Sequence, residues 1–236
     1  MFELSKDHEE FRTLVRDFAE AEVAPHAARW DREHHFPVDL VPKMGDLGLF
    51  GMVVPEEFGG AESDFTSLCV AIEELGRVDQ SVGITLSAGV GLGINPILTY
   101  GTQEQKERWL PDLVAGRALA AFGLTEPEAG SDAGATRTKA RLDGDEWVVN
   151  GAKAFITNSG TDITSVVTVT TEVSSEPELV MNCLEPLTTH SPSCSVARVA
   201  VAPASEPAPG SVRPKPGSRS PATRSGSQVC FCSSVP

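Results

Sequence analysis

Apolar residues recur at three- and four-residue spacing through the first 115 positions, then give way to short alternating runs. Between Ser5 and about Val23, Phe11, Leu14, Val15, Phe18 and Val23 keep helical spacing. Asp7 with Glu10 three residues later has the layout of a capping box, and Pro25 ends the run. A second helix is predicted over 25–33, and a short third over 38–47, entered after Pro37 and stopped by Gly48. Residues 50–60 form a glycine-bracketed loop around Pro55. Asp64 is placed to cap a helix to about Arg77, with Leu68, Ile72 and Leu75 on one stripe. Asp79 or Ser81 opens another helical stretch to Tyr100, which carries Gly83, Gly89, Gly91 and Gly93. Each such glycine costs roughly 1 kcal/mol against alanine, so close approach of a second helix or of a ligand is expected there. Thr102 with Gln105 caps a last helix from Gln103 to about Ala115, ended by Gly116.

Beyond Arg117 the period shortens. Ala118 to Leu124 is apolar, Thr138 to Leu142 alternates, and Asp143-Gly144-Asp145-Glu146 is hairpin-turn chemistry. Glu146 to Gly151 alternates again, and Ala154 to Thr157 reads as a further strand. The expected fold is α+β in two parts: an all-helical domain over 1–117, then a partial antiparallel β domain over 118–170.

Composition adds a boundary. The formal charge of −14 resides wholly in residues 1–170, which hold 28 acidic and 14 basic side chains; residues 171–236 hold five of each. The last 66 residues contain 10 of the 17 prolines and 13 serines, with Phe231 their one aromatic. Such a segment is predicted to be a disordered or low-complexity tail. Cys183, Cys194, Cys230 and Cys232 also lie there, in no zinc-binding spacing. An acidic chain lacks the basic face that nucleic acid requires. No apolar run is read as a membrane span, and the N-terminus lacks a secretory layout, so a cytoplasmic address is expected. His34 and His35 are adjacent and the other histidines scattered, which suggests no metal site.

Two segments carry candidate chemistry. In Phe122-Gly123-Leu124-Thr125-Glu126-Pro127-Glu128-Ala129-Gly130-Ser131-Asp132-Ala133-Gly134-Ala135 a strand runs into a loop dense in small residues, hydroxyls and free N–H groups. Such a loop can approach a planar ring or a pyrophosphate, although an ordinary strand-end loop has the same composition. In Asn150-Gly151-Ala152-Lys153-Ala154-Phe155-Ile156-Thr157-Asn158-Ser159-Gly160, Phe155 and Thr157 are expected on one face of a strand. Read alone, that pair is sooner a core aromatic and a cross-strand threonine.

Together the segments resemble the acyl-CoA dehydrogenase family. Gly123-Leu124-Thr125-Glu126-x-x-Ala129-Gly130-Ser131-Asp132-x-x-Ala135 matches that family's signature, and Asn150-Gly151-x-Lys153-x-Phe155-Ile156-Thr157-Asn158 follows at its interval. Tyr100 to Lys106 with Trp109-Leu110-Pro111, and Val54 to Gly60, resemble its earlier segments, so the resemblance covers about residues 1–168. It implies FAD as cofactor, an acyl-CoA substrate, electron-transfer flavoprotein as acceptor, and a homo-oligomer. It also implies that Phe122, Leu124, Thr125, Phe155, Ile156 and Thr157 face the flavin. Gly130 and Ser131 would lie by its phosphates, Ser131 also touching the acyl-CoA. Phe155 stands where many members have tryptophan, and the helix over 87–98 would line the acyl pocket. An acyl-CoA oxidase or flavin monooxygenase on the same fold, and a non-catalytic scaffold, are the alternatives.

In that family the proton is taken from Cα by a glutamate of a C-terminal helical domain, which this sequence does not contain. Glu172, Glu176, Glu178, Glu185 and Glu206 lie in the Pro/Ser-rich tail, so no catalytic base is assigned and the chain is expected to be truncated and inactive alone. The abrupt change near residue 170 is what a frameshift produces; a true linker is the alternative. An unfinished β domain is expected to expose unpaired edges and to aggregate.

Overall fold

The computed structural model of the chain describes residues 3–143, 146–173, 181–183, 197–200 and 227–233. Seven α-helices come first: α1 Lys6–Phe18, α2 Ala27–Glu33, α3 Leu40–Asp46, α4 Phe65–Val78, α5 Gln80–Ala88, α6 Asn95–Tyr100 and α7 Gln103–Val114. They begin where local chemistry allows. Asp64 accepts from the Ser67 N–H, Asp79 from those of Ser81 and Val82, and Thr102 with Gln105 forms a capping box. The cap of α1 differs from expectation. Ser5 accepts from the His8 N–H, and the His8 ring in turn takes the Ser5 N–H, so the box lies two residues before the expected Asp7–Glu10 pair.

α1 and α4 are tied by one carboxylate. Glu74, 1% exposed, accepts from Arg12 (3.0 Å), from Arg16 (2.8 and 2.9 Å) and from Arg77 (3.3 Å). The Arg16 hydrogen bond outweighs burial and, with Arg12 and Arg77, holds the Glu74 carboxyl down at about 2.

The stretch from α5 to α6 widens into a π turn over Gly89–Ile94. Pro96 explains the break: it has no N–H to return to the fourth residue before it, and the looser turn absorbs the lost bond. By length and composition Gln80–Tyr100, at 21 residues, is apolar enough to cross a membrane, which corrects the expectation that no run is. More than half of it is buried in the protein. Leu86, Ile94 and Ile97 are 0–1% exposed and share the core with Leu49, Phe50, Leu75, Leu110, Leu113 and Leu119.

The strands are β1 Leu119–Gly123, β2 Lys139–Asp143, β3 Glu146–Asn150, β4 Thr164–Val173, β5 Met181–Cys183, β6 Ala197–Ala200 and β7 Ser227–Ser233. A near-unbroken β-branched run makes β4 the longest, and it sits mid-sheet in the order β5-β7-β4-β2-β3-β6. β1 lies alongside β4 in parallel, Gly123 opposite Val169. β2 also pairs with β4 in parallel, so the sheet is mixed; β2–β3, β3–β6 and β4–β7 are antiparallel. The expected tail over 171–236 falls largely outside the described residues, but β5, β6 and β7 come from within it. No strand forms over 154–157, where a short apolar run suggested one; that stretch is loop and turn.

Sheet and helices meet where β1 crosses the π turn. A Cβ added at Gly93 would stand 2.6 Å from the Ala120 Cβ and 2.9 Å from its carbonyl oxygen, whereas one at Gly91 meets nothing within 4 Å. Ligand room and close packing, left open by the sequence, thus divide between neighbouring glycines. Gly93→Ala is expected to lower the urea midpoint by the equivalent of about 1–3 kcal/mol, the range for overpacking. Gly91→Ala should leave it unchanged or raise it, because alanine removes glycine's extra backbone freedom. Equal effects of the two substitutions would contradict this packing.

Candidate functional site

The site grows from the end of β1. Phe122 is half-buried on the strand, Leu124 is 37% exposed just beyond it, and Thr125 is half-buried. Three consecutive carbonyls here are claimed by the protein: Gly123 accepts from the Thr170 hydroxyl (3.3 Å), Leu124 from the Lys153 ammonium (2.9 Å), Thr125 from the Ala154 N–H (2.8 Å). Two of those donors belong to the second candidate segment, so the structure brings the two segments into contact. Ile156 joins them, its Cδ1 3.7 Å from where a Cβ on Gly123 would stand.

At the centre is a buried ion pair. Lys153 and Glu126 side chains are 6% and 7% exposed, with Nζ 2.8 Å from Oε1; Nζ also reaches the Thr170 hydroxyl at 3.2 Å. Glu126 further accepts from the Arg137 N–H (2.7 Å), the Thr138 N–H (2.9 Å) and the Thr138 hydroxyl. Burial pushes its carboxyl up, but the hydrogen bonds from Lys153, Thr138 and the backbone prevail and hold it at about 2. It is a fixed anion.

Phe155 departs from expectation. Its φ of 56° is left-handed, and its side chain is 90% exposed. Phe155 and Thr157 therefore do not alternate along a strand; the Thr157 N–H bonds back to the Phe155 carbonyl (3.2 Å) in a turn. Thr157 is half-buried, like Ile156. Asn158, also left-handed at 64°, is 5% exposed; its side-chain amide donates to the Thr85 carbonyl of α5 (3.0 Å), and its own carbonyl accepts from Thr164 (2.7 Å). Asparagine tolerates that conformation.

Gly130 and Ser131 are exposed and follow a separate turn, closed by reciprocal Glu126–Ala129 hydrogen bonds of 3.0 and 3.1 Å. Among the described residues, the N–H groups of Leu124, Thr125, Gly130 and Ser131 and the hydroxyls of Thr125, Ser131 and Thr157 donate to no protein acceptor. A concavity of about 870 Å³ between the chain start, α1 and α4, bounded by Arg12, Phe65 and Cys69, is lined by none of these residues. The tail glutamates Glu176, Glu178, Glu185 and Glu206 lie outside the described residues.

The sequence reading assigned no role to Glu126, Lys153, Thr138, Thr170 or Asn158. One signal was available: Lys153 is a lone charge in a run of small and apolar residues, and Glu126 lies inside the other motif.

The folded value of Glu126 lies below the ordinary carboxylate value, so its contribution to stability is complete above about pH 4.5 and is lost as pH falls toward about 2. Urea midpoints measured over this range should fall more steeply in the unmodified chain than in Glu126→Gln. Parallel curves would show that the carboxylate is not held this way.

Comparison with known proteins places this geometry. Residues 5–117 match the family model "Acyl-CoA dehydrogenase, N-terminal domain", and residues 121–201 match "Acyl-CoA dehydrogenase, middle domain". The chain is 45% identical over 183 residues to a probable acyl-CoA dehydrogenase of Bacillus subtilis, covering 78% of this chain and 48% of that protein. It is 44% identical over 187 residues to the mitochondrial short-chain specific acyl-CoA dehydrogenase of Mus musculus, covering 79% and 45%. A solved Bacillus anthracis acyl-CoA dehydrogenase complexed with FAD superposes with a TM-score of 0.68 at 33% identity, covering 85% of this chain and 37% of that one. The chain spans about half the length of the curated relatives it matches.

Proposed function

The chain belongs to the acyl-CoA dehydrogenase family, and from that premise we propose that it binds FAD along the edge built by residues 122–125 and 155–157 and serves α,β-dehydrogenation of an acyl-CoA thioester. Electron-transfer flavoprotein is the proposed acceptor. The residues fit such a cofactor. The Thr125 amide and hydroxyl and the Thr157 hydroxyl are donors without a protein acceptor, beside an exposed aromatic ring at Phe155. Gly130 has nothing within 4 Å of a built Cβ, so its backbone can come close to a phosphate, with the Ser131 hydroxyl next to it.

When bound, FAD supplies the acceptor for the hydride that leaves Cβ of the substrate. The threonine hydroxyls and the Thr125 N–H, held in place before the reaction, stabilise negative charge where it develops. Phe155 offers a face for stacking, and Ser131 a contact for the thioester ligand. In the π turn, open Gly91 and Leu92, 48% exposed, supply small and apolar lining for an acyl chain. Glu126 is excluded as the proton-abstracting base, since four donors and a value of about 2 leave it little proton affinity. No base is assigned among the described residues.

The observation that carries this reading is the group of unclaimed donors around Thr125. The full chain titrated with FAD should quench flavin fluorescence in a saturable way. Thr125→Val should weaken binding on the order of three- to tenfold, as expected for one hydrogen bond of about 0.5–1.5 kcal/mol. Folded protein that takes up no flavin would leave the scaffold reading standing. Anaerobic bleaching of bound flavin by short-chain acyl-CoA then reports the chemistry, and fast reoxidation by oxygen would favour an oxidase.

A further inference from the structure

The Lys153 ammonium has a consequence for the donors above, one that rests on the FAD reading. C=O and N–H of one trans peptide point in opposite directions. The peptide between Leu124 and Thr125 has its carbonyl drawn to Lys153 Nζ at 2.9 Å, so its N–H, the Thr125 amide, is aimed the opposite way. The flanking peptides are fixed by the Thr170 hydroxyl on the Gly123 carbonyl and the Ala154 N–H on the Thr125 carbonyl. A peptide between two fixed neighbours can still flip its own plane by compensating dihedral changes. What opposes a flip here is the ammonium, itself 6% exposed and held by Glu126 and Thr170. A flip would leave a buried cation short of an acceptor and turn the Thr125 N–H inward toward that same cation.

We propose that Lys153 is a positioning residue for the cofactor edge: by holding the Leu124 carbonyl it presents the Thr125 N–H to the flavin ring. Glu126 holds Lys153 in place, and neither side chain touches the cofactor. The carbonyl needs a donor and not a cation, so a neutral donor that meets it, even one bond shorter, retains more of the function than an apolar side chain. This separates orientation from charge burial.

The test uses the full chain with FAD and two variants in one background, Glu126→Gln/Lys153→Met and Glu126→Gln/Lys153→Gln. Both remove the buried ion pair; the one carboxamide oxygen introduced at position 126 can still accept from the Thr138 N–H and hydroxyl, while the Arg137 N–H loses its acceptor equally in both. The Met variant should keep the urea midpoint of the Gln variant yet bind FAD about tenfold more weakly, with the visible flavin spectrum moved toward that of free flavin. The Gln variant should stay within about threefold of the unmodified chain and keep its bound-flavin spectrum. Equal affinity and spectrum in both folded variants would overturn the proposal, because a donor at position 153 would then make no difference to the cofactor edge. Should the Met variant fail to fold, the Gln variant decides alone: retained spectrum and affinity support the donor role, and their loss in folded protein overturns it. Failure of the unmodified chain to take up FAD would count against the cofactor reading and is read before either variant.

Discussion

A lysine ammonium 6% exposed to solvent imposes the constraint on which the candidate site depends. A charge so placed is costly unless it is paired and its hydrogen-bonding capacity is met. Lys153 meets it with one carboxylate, one backbone carbonyl and one hydroxyl, drawn from the loop after β1 and from β4. Moving either segment strands the charge, so the pair defines where both must lie. A buried ion pair is weak evidence for stability, since apolar replacements can serve as well. Its value here lies in the geometry that an apolar replacement could not supply to the Leu124 carbonyl.

The second candidate segment answers to two domains. Its start is held to the sheet through Lys153 and Ala154, while Asn158 donates to the Thr85 carbonyl at the entry to the π turn. The π turn is pressed onto β1 by Gly93, whose missing side chain lets Ala120 approach. Thus the helical block is part of the scaffold that sets Phe155 and Thr157. Glu74 performs the corresponding task inside the block, joining α4 to α1 through Arg12 and Arg16, with Arg77 of its own helix alongside.

What the sequence made legible was local. Asp64, Asp79 and the Thr102–Gln105 box marked helix starts because a cap and its amides lie within three residues of each other. The Ser5 cap was missed because its reciprocal partner is His8 and not a glutamate or glutamine. The apolar run over 154–157 suggested a strand because a left-handed phenylalanine leaves no mark on hydropathy. The pairing of Lys153 with Glu126 spans 27 residues, and nothing in the chemistry of either neighbourhood names the other. The structure brings the two motif segments together, Leu124 to Lys153, Thr125 to Ala154 and Gly123 to Ile156.

A carboxylate inside such a motif invites a catalytic reading, and its surroundings argue against one. Abstraction of a proton needs a base whose affinity for that proton is tuned toward the task by burial or by a like charge. Burial acts on Glu126 in that direction, but the four donors aimed at its oxygens overcome it. The group that would be a poor base is for the same reason a good counter-ion: its carboxyl is held well below the ordinary carboxylate range, and it keeps the Lys153 ammonium in place. The ion pair at this site thus holds a hydrogen-bond donor against the Leu124 carbonyl, and Glu126 is a counter-ion and not a base.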